Sequence, residues 1–221
     1  MSILDMSFIG LLSSAILFLL FGVALIYFSI STNKKWQKLK GRREKNKKKQ
    51  KRLQRIRREL QQKKKKQSRI AILFITLFLV TASGAVYARY YQLTNLTAED
   101  ADAVAKAYYL VGEMEKQIKS VENGASPEKT VKNLRNLSAQ LASASVKTAS
   151  QGMSVEGQKL LNRHLSLTRN LAVNISNQNQ EALANPTIRE IYLKDIDKVT
   201  TSEQKVFKHF KVNESALQQK K

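Results

Sequence analysis

Two runs without a single charge constrain this chain more than anything else in it: FIGLLSSAILFLLFGVALIYFSI from Phe8 to Ile30, and IAILFITLFLVTASGAVYA from Ile70 to Ala88. As a helix the first would reach about 34 Å at 1.5 Å per residue, against a hydrocarbon core of about 30 Å. The second would reach about 28 Å, with Arg69 and Arg89 at its ends able to snorkel to the interface. Both runs are read as membrane spans, at residues 8–30 and 70–88. Neither contains an acidic or basic residue, so neither carries the mark of an ion pathway or proton relay. Gly10, Ser13 and Ser14 in the first span, with Ala82, Ser83, Gly84 and Ala85 in the second, would let helices approach closely. A homo-oligomer is therefore admitted, although no strict GxxxG pattern specifies one.

Between the spans lies KKWQKLKGRREKNKKKQKRLQRIRRELQQKKKKQSR, residues 34–69, which carries 20 Lys and Arg against Glu44 and Glu59 and so holds nearly all of the chain's net +22. Short loops of this kind stay on the cytoplasmic side. The expected topology is a plasma-membrane hairpin, with residues 31–69 cytoplasmic and both termini outside. The tail of residues 1–7 has Asp5 and no Lys or Arg; it is easily translocated and lacks the basic start of a secretory signal. TASGAVYA at the end of the second span has the layout of a cleavage site after Ala88, but an uncleaved anchor is the simpler expectation.

A basic loop beside a membrane meets lipid before it meets anything else. Lys34, Lys35, Lys38, Lys40, Arg42, Arg43, Lys63, Lys64, Lys65, Lys66 and Arg69 are expected to contact anionic lipid or phosphate on the inner leaflet, with Trp36 as an interfacial anchor. With Trp36 as the only aromatic of the run, there is none of the aromatic interleaving that stacks bases, and a membrane-tethered nucleic-acid binder ranks below lipid. The loop's composition favours helix, with Gly41 as its breaker and Leu53, Ile56 and Leu60 as a narrow apolar seam. A solvated, partly disordered charge block is the competing expectation.

The last part of the chain, residues 89–221, is near neutral and reads as one domain on the outside. Helix starts are written into it. Thr97 with Asp100 forms a capping box for a helix over 98–122 that closes at Asn123-Gly124. Ser126-Pro127 and Asn185-Pro186 pair a cap with proline at the first helical position. The apolar spacing predicts a second helix from Pro127 to Ser150, a third from Ser154 to Ala184 and a fourth from Pro186 that breaks near Thr200-Thr201-Ser202. The expected core is Val104, Tyr108, Val111, Ile118, Leu134, Leu141, Leu161, Leu165, Ile175, Ile188, Ile191, Tyr192, Phe207 and Phe210. The fold class is thus an all-α membrane protein: two transmembrane helices, a basic cytoplasmic helical loop, then an extracytoplasmic antiparallel bundle of about four helices.

Chemistry is sparse. There is no cysteine, hence no disulfide or thiolate, and the two histidines, His164 and His209, have no ligand partner at metal spacing and are expected at the surface or the bundle edge. No Gly-rich phosphate motif occurs, and Asp195 and Asp197 stand two apart on a helix, facing different ways. The expectation is no catalytic residue, no metal and no cofactor. Glycosylation sequons at Asn95, Asn136, Asn174 and Asn213 carry little weight in a chain whose Lys-rich, cysteine-free style fits a Gram-positive bacterium. The function expected is a non-enzymatic interaction or scaffold module of a bacterial envelope, cell-wall or secretion assembly, contacting the lipid bilayer and another envelope protein. A receptor or immunity-type protein binding an external peptide or toxin is the alternative.

Overall fold

A computed structural model describes residues 3–218, all of them in helices and connecting turns, with no strand among the described residues. The chain divides after Tyr90 into two compact units. The first holds two long helices, α1 (Ile3–Lys40) and α2 (Lys47–Thr94), the last turn of α2 belonging to the second unit. Each contains a stretch long and apolar enough to cross a membrane.

Within the first unit α1 and α2 run antiparallel. Leu11 meets Gly84, Phe18 and Phe21 meet Phe74 at ring separations of 6.0 and 5.6 Å, Gly22 meets Ile75, and Thr32 meets Gln67. The paired numbers keep a nearly constant sum, which is the signature of one unbroken register. On α1 the half-buried and buried row is Phe8, Leu11, Ala15, Phe18, Gly22, Leu25, Ser29, Thr32, Trp36 and Leu39, at alternating steps of three and four. On α2 the same alternation runs through Leu53, Arg57, Leu60, Lys64, Gln67, Ala71, Phe74, Phe78, Thr81, Ala85 and Ala88. This is the heptad seam of a coiled coil, and it passes from the apolar segments into the basic one without a shift. The expected basic seam is corrected in one member: Leu53 and Leu60 lie on it, but Arg57 takes the position between them and Ile56 is turned out.

The seam changes chemistry along its length. Small Ala15, Gly22, Ala71 and Ala85 bring the backbones close in the apolar part, where a methyl group at Gly22 would stand 2.8 Å from Ile75 Cδ1. In the basic part it turns polar: the Thr32 hydroxyl donates to Gln67 Oε1 at 3.0 Å, and Lys64 Nζ donates to Asn33 Oδ1 at 3.0 Å. The Arg57 guanidinium donates to the carbonyls of Leu39 and Arg42, satisfying acceptors that the end of α1 leaves open. Because α1 stops opposite Arg57, residues 41–46 travel back along the first turns of α2, held by the Glu44 N–H on Gln50 Oε1 at 3.0 Å, and Asn46 Oδ1 then accepts from the Lys48 N–H to start α2.

The second unit is built from α3 (Ala98–Glu122), α4 (Pro127–Ala144), α5 (Val155–Ser176), the single turn α6 (Gln180–Ala184), α7 (Pro186–Phe210) and α8 (Glu214–Gln218). α3 packs on α4, α4 on α5, α5 on α7 and α7 back on α3, so the four long helices form a ring. Cross-links between them run antiparallel, as in Asn133 to Gln117, Lys147 to Glu99 and Arg135 to Gln178. α3 starts where the capping pattern puts it, with the Thr97 side chain accepting from the Asp100 N–H, and ends at Gly124, whose φ of +90° suits glycine. Asn185 caps α7 through the Thr187 N–H, whereas Ser126 makes no side-chain cap to α4.

Three helix limits differ from the spacing-based expectation. α4 stops at Ala144, six residues early, where the Ser-rich sequence turns and the Arg169 guanidinium takes the Ser145 carbonyl. α5 stops at Ser176, and Ala184 ends the separate α6, which Asn179 opens by accepting from the Ala182 N–H. α7 continues unbroken through Thr200-Thr201-Ser202, because Val199, Glu203 and Val206 keep its inward row in step across them.

The core falls into two clusters. One gathers Val111, Ile118, Leu134, Leu141, Ile175 and Tyr192 with Met114, Leu171 and Val199, and half-buried Ile188 packs on it. The other gathers Val104, Leu161, Leu165, Phe207 and Phe210 with Val206, and half-buried Tyr108 packs on it with its ring 5.9 Å from Phe207. Ile191 is not in the core; it is 52% exposed, since Ile188, Tyr192 and Ile196 take the inward positions and leave it a quarter-turn away.

Candidate functional site

The basic end of the first unit is the largest concentration of one chemistry in the molecule. Lys34, Lys35, Lys38, Lys40, Arg42, Arg43, Lys63, Lys65, Lys66 and Arg69 are exposed, while Lys64 is half-buried by its bond to Asn33. Trp36 occupies a seam position, half-buried, with Lys40 Nζ 5.3 Å from its ring centroid, a cation–π pair. Opposite charge is scarce there: Glu44 stands 4.0 Å from Arg42. The two-helix geometry presents the remaining cations outward along a rod, because the seam residues are the ones turned in.

On the apolar stretches of the same helices, the outward positions are large and bare. Leu17, Leu20, Phe21, Phe28, Ile72, Leu79 and Val80 are each more than half exposed. A soluble unit rarely leaves so continuous an apolar face uncovered.

The second unit contains a buried polar layer between its two apolar clusters. Ser145, His164, Thr168, Ser202 and Glu203 are all buried, contributed by α4's end, α5 and α7. His164 corrects the expectation of a surface histidine: it is 0% exposed, on the inward row with Leu161, Leu165 and Thr168. Burial pushes its imidazole down to about 4, opposed in part by the Val199 backbone carbonyl, and neither ring nitrogen completes a hydrogen bond of normal geometry. Glu203, 3% exposed, is pushed up to about 8 by burial, with repulsion from Glu214 adding to it, and its Oε2 has no partner. The Thr168 hydroxyl donates to the His164 carbonyl at 2.8 Å. His209, half-buried, stacks edge-on against Phe210 at 4.8 Å.

Neither histidine gathers a ligand set, and no group of three His, Asp or Glu among the described residues could hold a metal ion. A groove of about 620 Å³ runs between α3 and α4 over Ala103, Ala139, Ser143 and Ala144, flanked by the ion pairs Lys147–Glu99 at 2.9 Å and Lys106–Asp102 at 2.7 Å. Sequence reasoning missed Glu203 and the Thr32–Gln67 pair. The signal for Glu203 was present, since it stands four residues after Val199 and three before Val206 on an otherwise apolar row. Searches of family models, curated proteins and solved structures find no match to this chain.

Proposed function

We propose that this is a non-enzymatic two-span membrane protein, with its basic helical hairpin end on the anionic inner leaflet. Its ring of helices lies outside and serves as an interaction module in a bacterial envelope, cell-wall or secretion assembly. One observation carries the reading: on the same two helices, uncovered apolar faces give way directly to an exposed basic end, while one heptad seam runs through both. That is the distribution a hairpin needs to meet hydrocarbon along its middle and lipid phosphate at one end. The near-neutral second unit, with its own apolar core and the α3/α4 groove, is then the part free to engage a protein partner.

The absence of cysteine makes the topology directly testable. Single substitutions Lys51→Cys and Gln151→Cys, expressed in intact bacterial cells, should react differently with a membrane-impermeant maleimide. Gln151→Cys should label in whole cells and Lys51→Cys only after permeabilisation. Labelling of Lys51→Cys in whole cells would sink the proposal. Cross-linking from the α3/α4 face in the intact envelope should then recover a stoichiometric protein partner.

A further inference from the structure

We infer that the hairpin carries a specific site for one anionic phospholipid, in the groove between α1 and α2 where the apolar stretches meet the basic end. This inference rests on the membrane reading above and goes further, from general lipid contact to a built site. The groove encloses about 260 Å³ and is walled by Ile26 and Ile30 of α1 and by Ile72 and Ile75 of α2. Its polar members are Ser29 of α1 and Ser68 and Thr76 of α2.

Several hydroxyls on these helices are already engaged by carbonyls one turn back: Ser14 with Gly10, Thr76 with Ile72, Thr81 with Leu77 and Ser83 with Leu79. Ser29 and Ser68 make no such bond among the described residues, so both remain available to a ligand oxygen. Following the walls toward the basic end, helical spacing places Lys34 four residues after Ile30, and Lys65 three residues before Ser68. The hairpin register sets these two lysines at one level along the hairpin, about a turn beyond the groove on its basic side, and each is exposed and outside every ion pair of the described residues.

The arrangement is therefore amphipathic in the order a phospholipid is. Isoleucine walls match an acyl chain, the two hydroxyls match ester or glycerol oxygens, and a pair of uncompensated ammonium groups matches the phosphate. Charge complementarity selects an anionic headgroup over a zwitterionic one, whose own ammonium would face the two lysines.

The test is native mass spectrometry of the full chain released from vesicles of phosphatidylglycerol and phosphatidylcholine at a 3:7 ratio. The expected result is one retained phosphatidylglycerol per chain. Lys34→Gln/Lys65→Gln should weaken that retention by about 25-fold, about fivefold per lysine. Ser68→Leu, which fills the groove at constant charge, should weaken it as well. Lys47→Gln/Lys48→Gln, the same charge change at the far tip, should leave it intact. Equal retention of both lipids, or equal loss in the tip variant, would overturn the site. A chain that enters vesicles but retains no phosphatidylglycerol overturns this inference alone; a chain that does not enter vesicles overturns the membrane reading and this site with it.

Discussion

Glu203 occupies a position where the row of α7 otherwise places valine and phenylalanine, and its protonation ties the second unit's stability to pH. In the unfolded chain its carboxyl titrates near 4.5 and in the fold near 8, so between these values the folded state holds a proton that the unfolded state lacks. Its contribution is complete below 4.5 and is lost as pH rises through 8. His164 acts with the opposite slope: its imidazole falls from 6.5 to about 4, so the unfolded chain takes up the extra proton and stability is lost as pH drops from 6.5 to 4. From 4.5 to 6.5 the two slopes oppose; from 6.5 to 8 Glu203 acts alone, at a cost of about 2 kcal/mol. Thermal unfolding of the full chain should therefore show a lower midpoint for the second unit at pH 8 than at pH 6.5, and Glu203→Gln should remove that difference. A second expectation concerns Gly157, where an added Cβ would stand 2.8 Å from Phe210 Cζ. Gly157→Val should destabilise by about 1–3 kcal/mol, and Phe210→Leu beside it should recover part of the loss, as denaturant titration of the two variants would measure. His164 was illegible as a core residue because polar side chains at 164 and 168 interrupt the apolar stripe by which an inward row is recognised.

The α1–α2 seam was hidden for a related reason. In the apolar stretches every position is hydrophobic, so no contrast marks which face turns inward; in the basic stretch the inward row is Thr32, Gln67, Lys64 and Arg57, which reads as surface. Only Leu53 and Leu60 showed through. Helix starts were more legible, because caps are local: Thr97 and Asn185 act as their spacing predicts. Helix ends in α4 and α5 were not, since they depend on partners far along the chain, such as Arg169 at Ser145. If the seam holds the hairpin together, Thr32→Cys and Gln67→Cys in one cysteine-free chain should form a disulfide readily in membranes. Gly22→Leu, which collides with Ile75, should cut that yield severalfold. An unaffected yield would mean that the helices do not depend on the close approach at Gly22.

At the level of the whole chain, composition divides the molecule where the contacts do: nearly all the net charge and both uncharged runs fall before Tyr90, and the amphipathic helices after it. The second unit has its own two apolar clusters, so residues 91–221 expressed without α1 and most of α2 should fold as a helical protein with cooperative thermal unfolding by circular dichroism. A broad, non-cooperative loss of ellipticity would contradict that. The unbroken heptad register of α1 and α2 also makes the length of the hairpin quantised. Removing seven residues from each leg returns every knob to a hole and shortens the rod by about 10 Å, whereas removing two from one leg swings its outward side round toward its partner. Sequence drift in this arm can accordingly proceed by matched heptads, and reach, rather than shape, is the property free to vary.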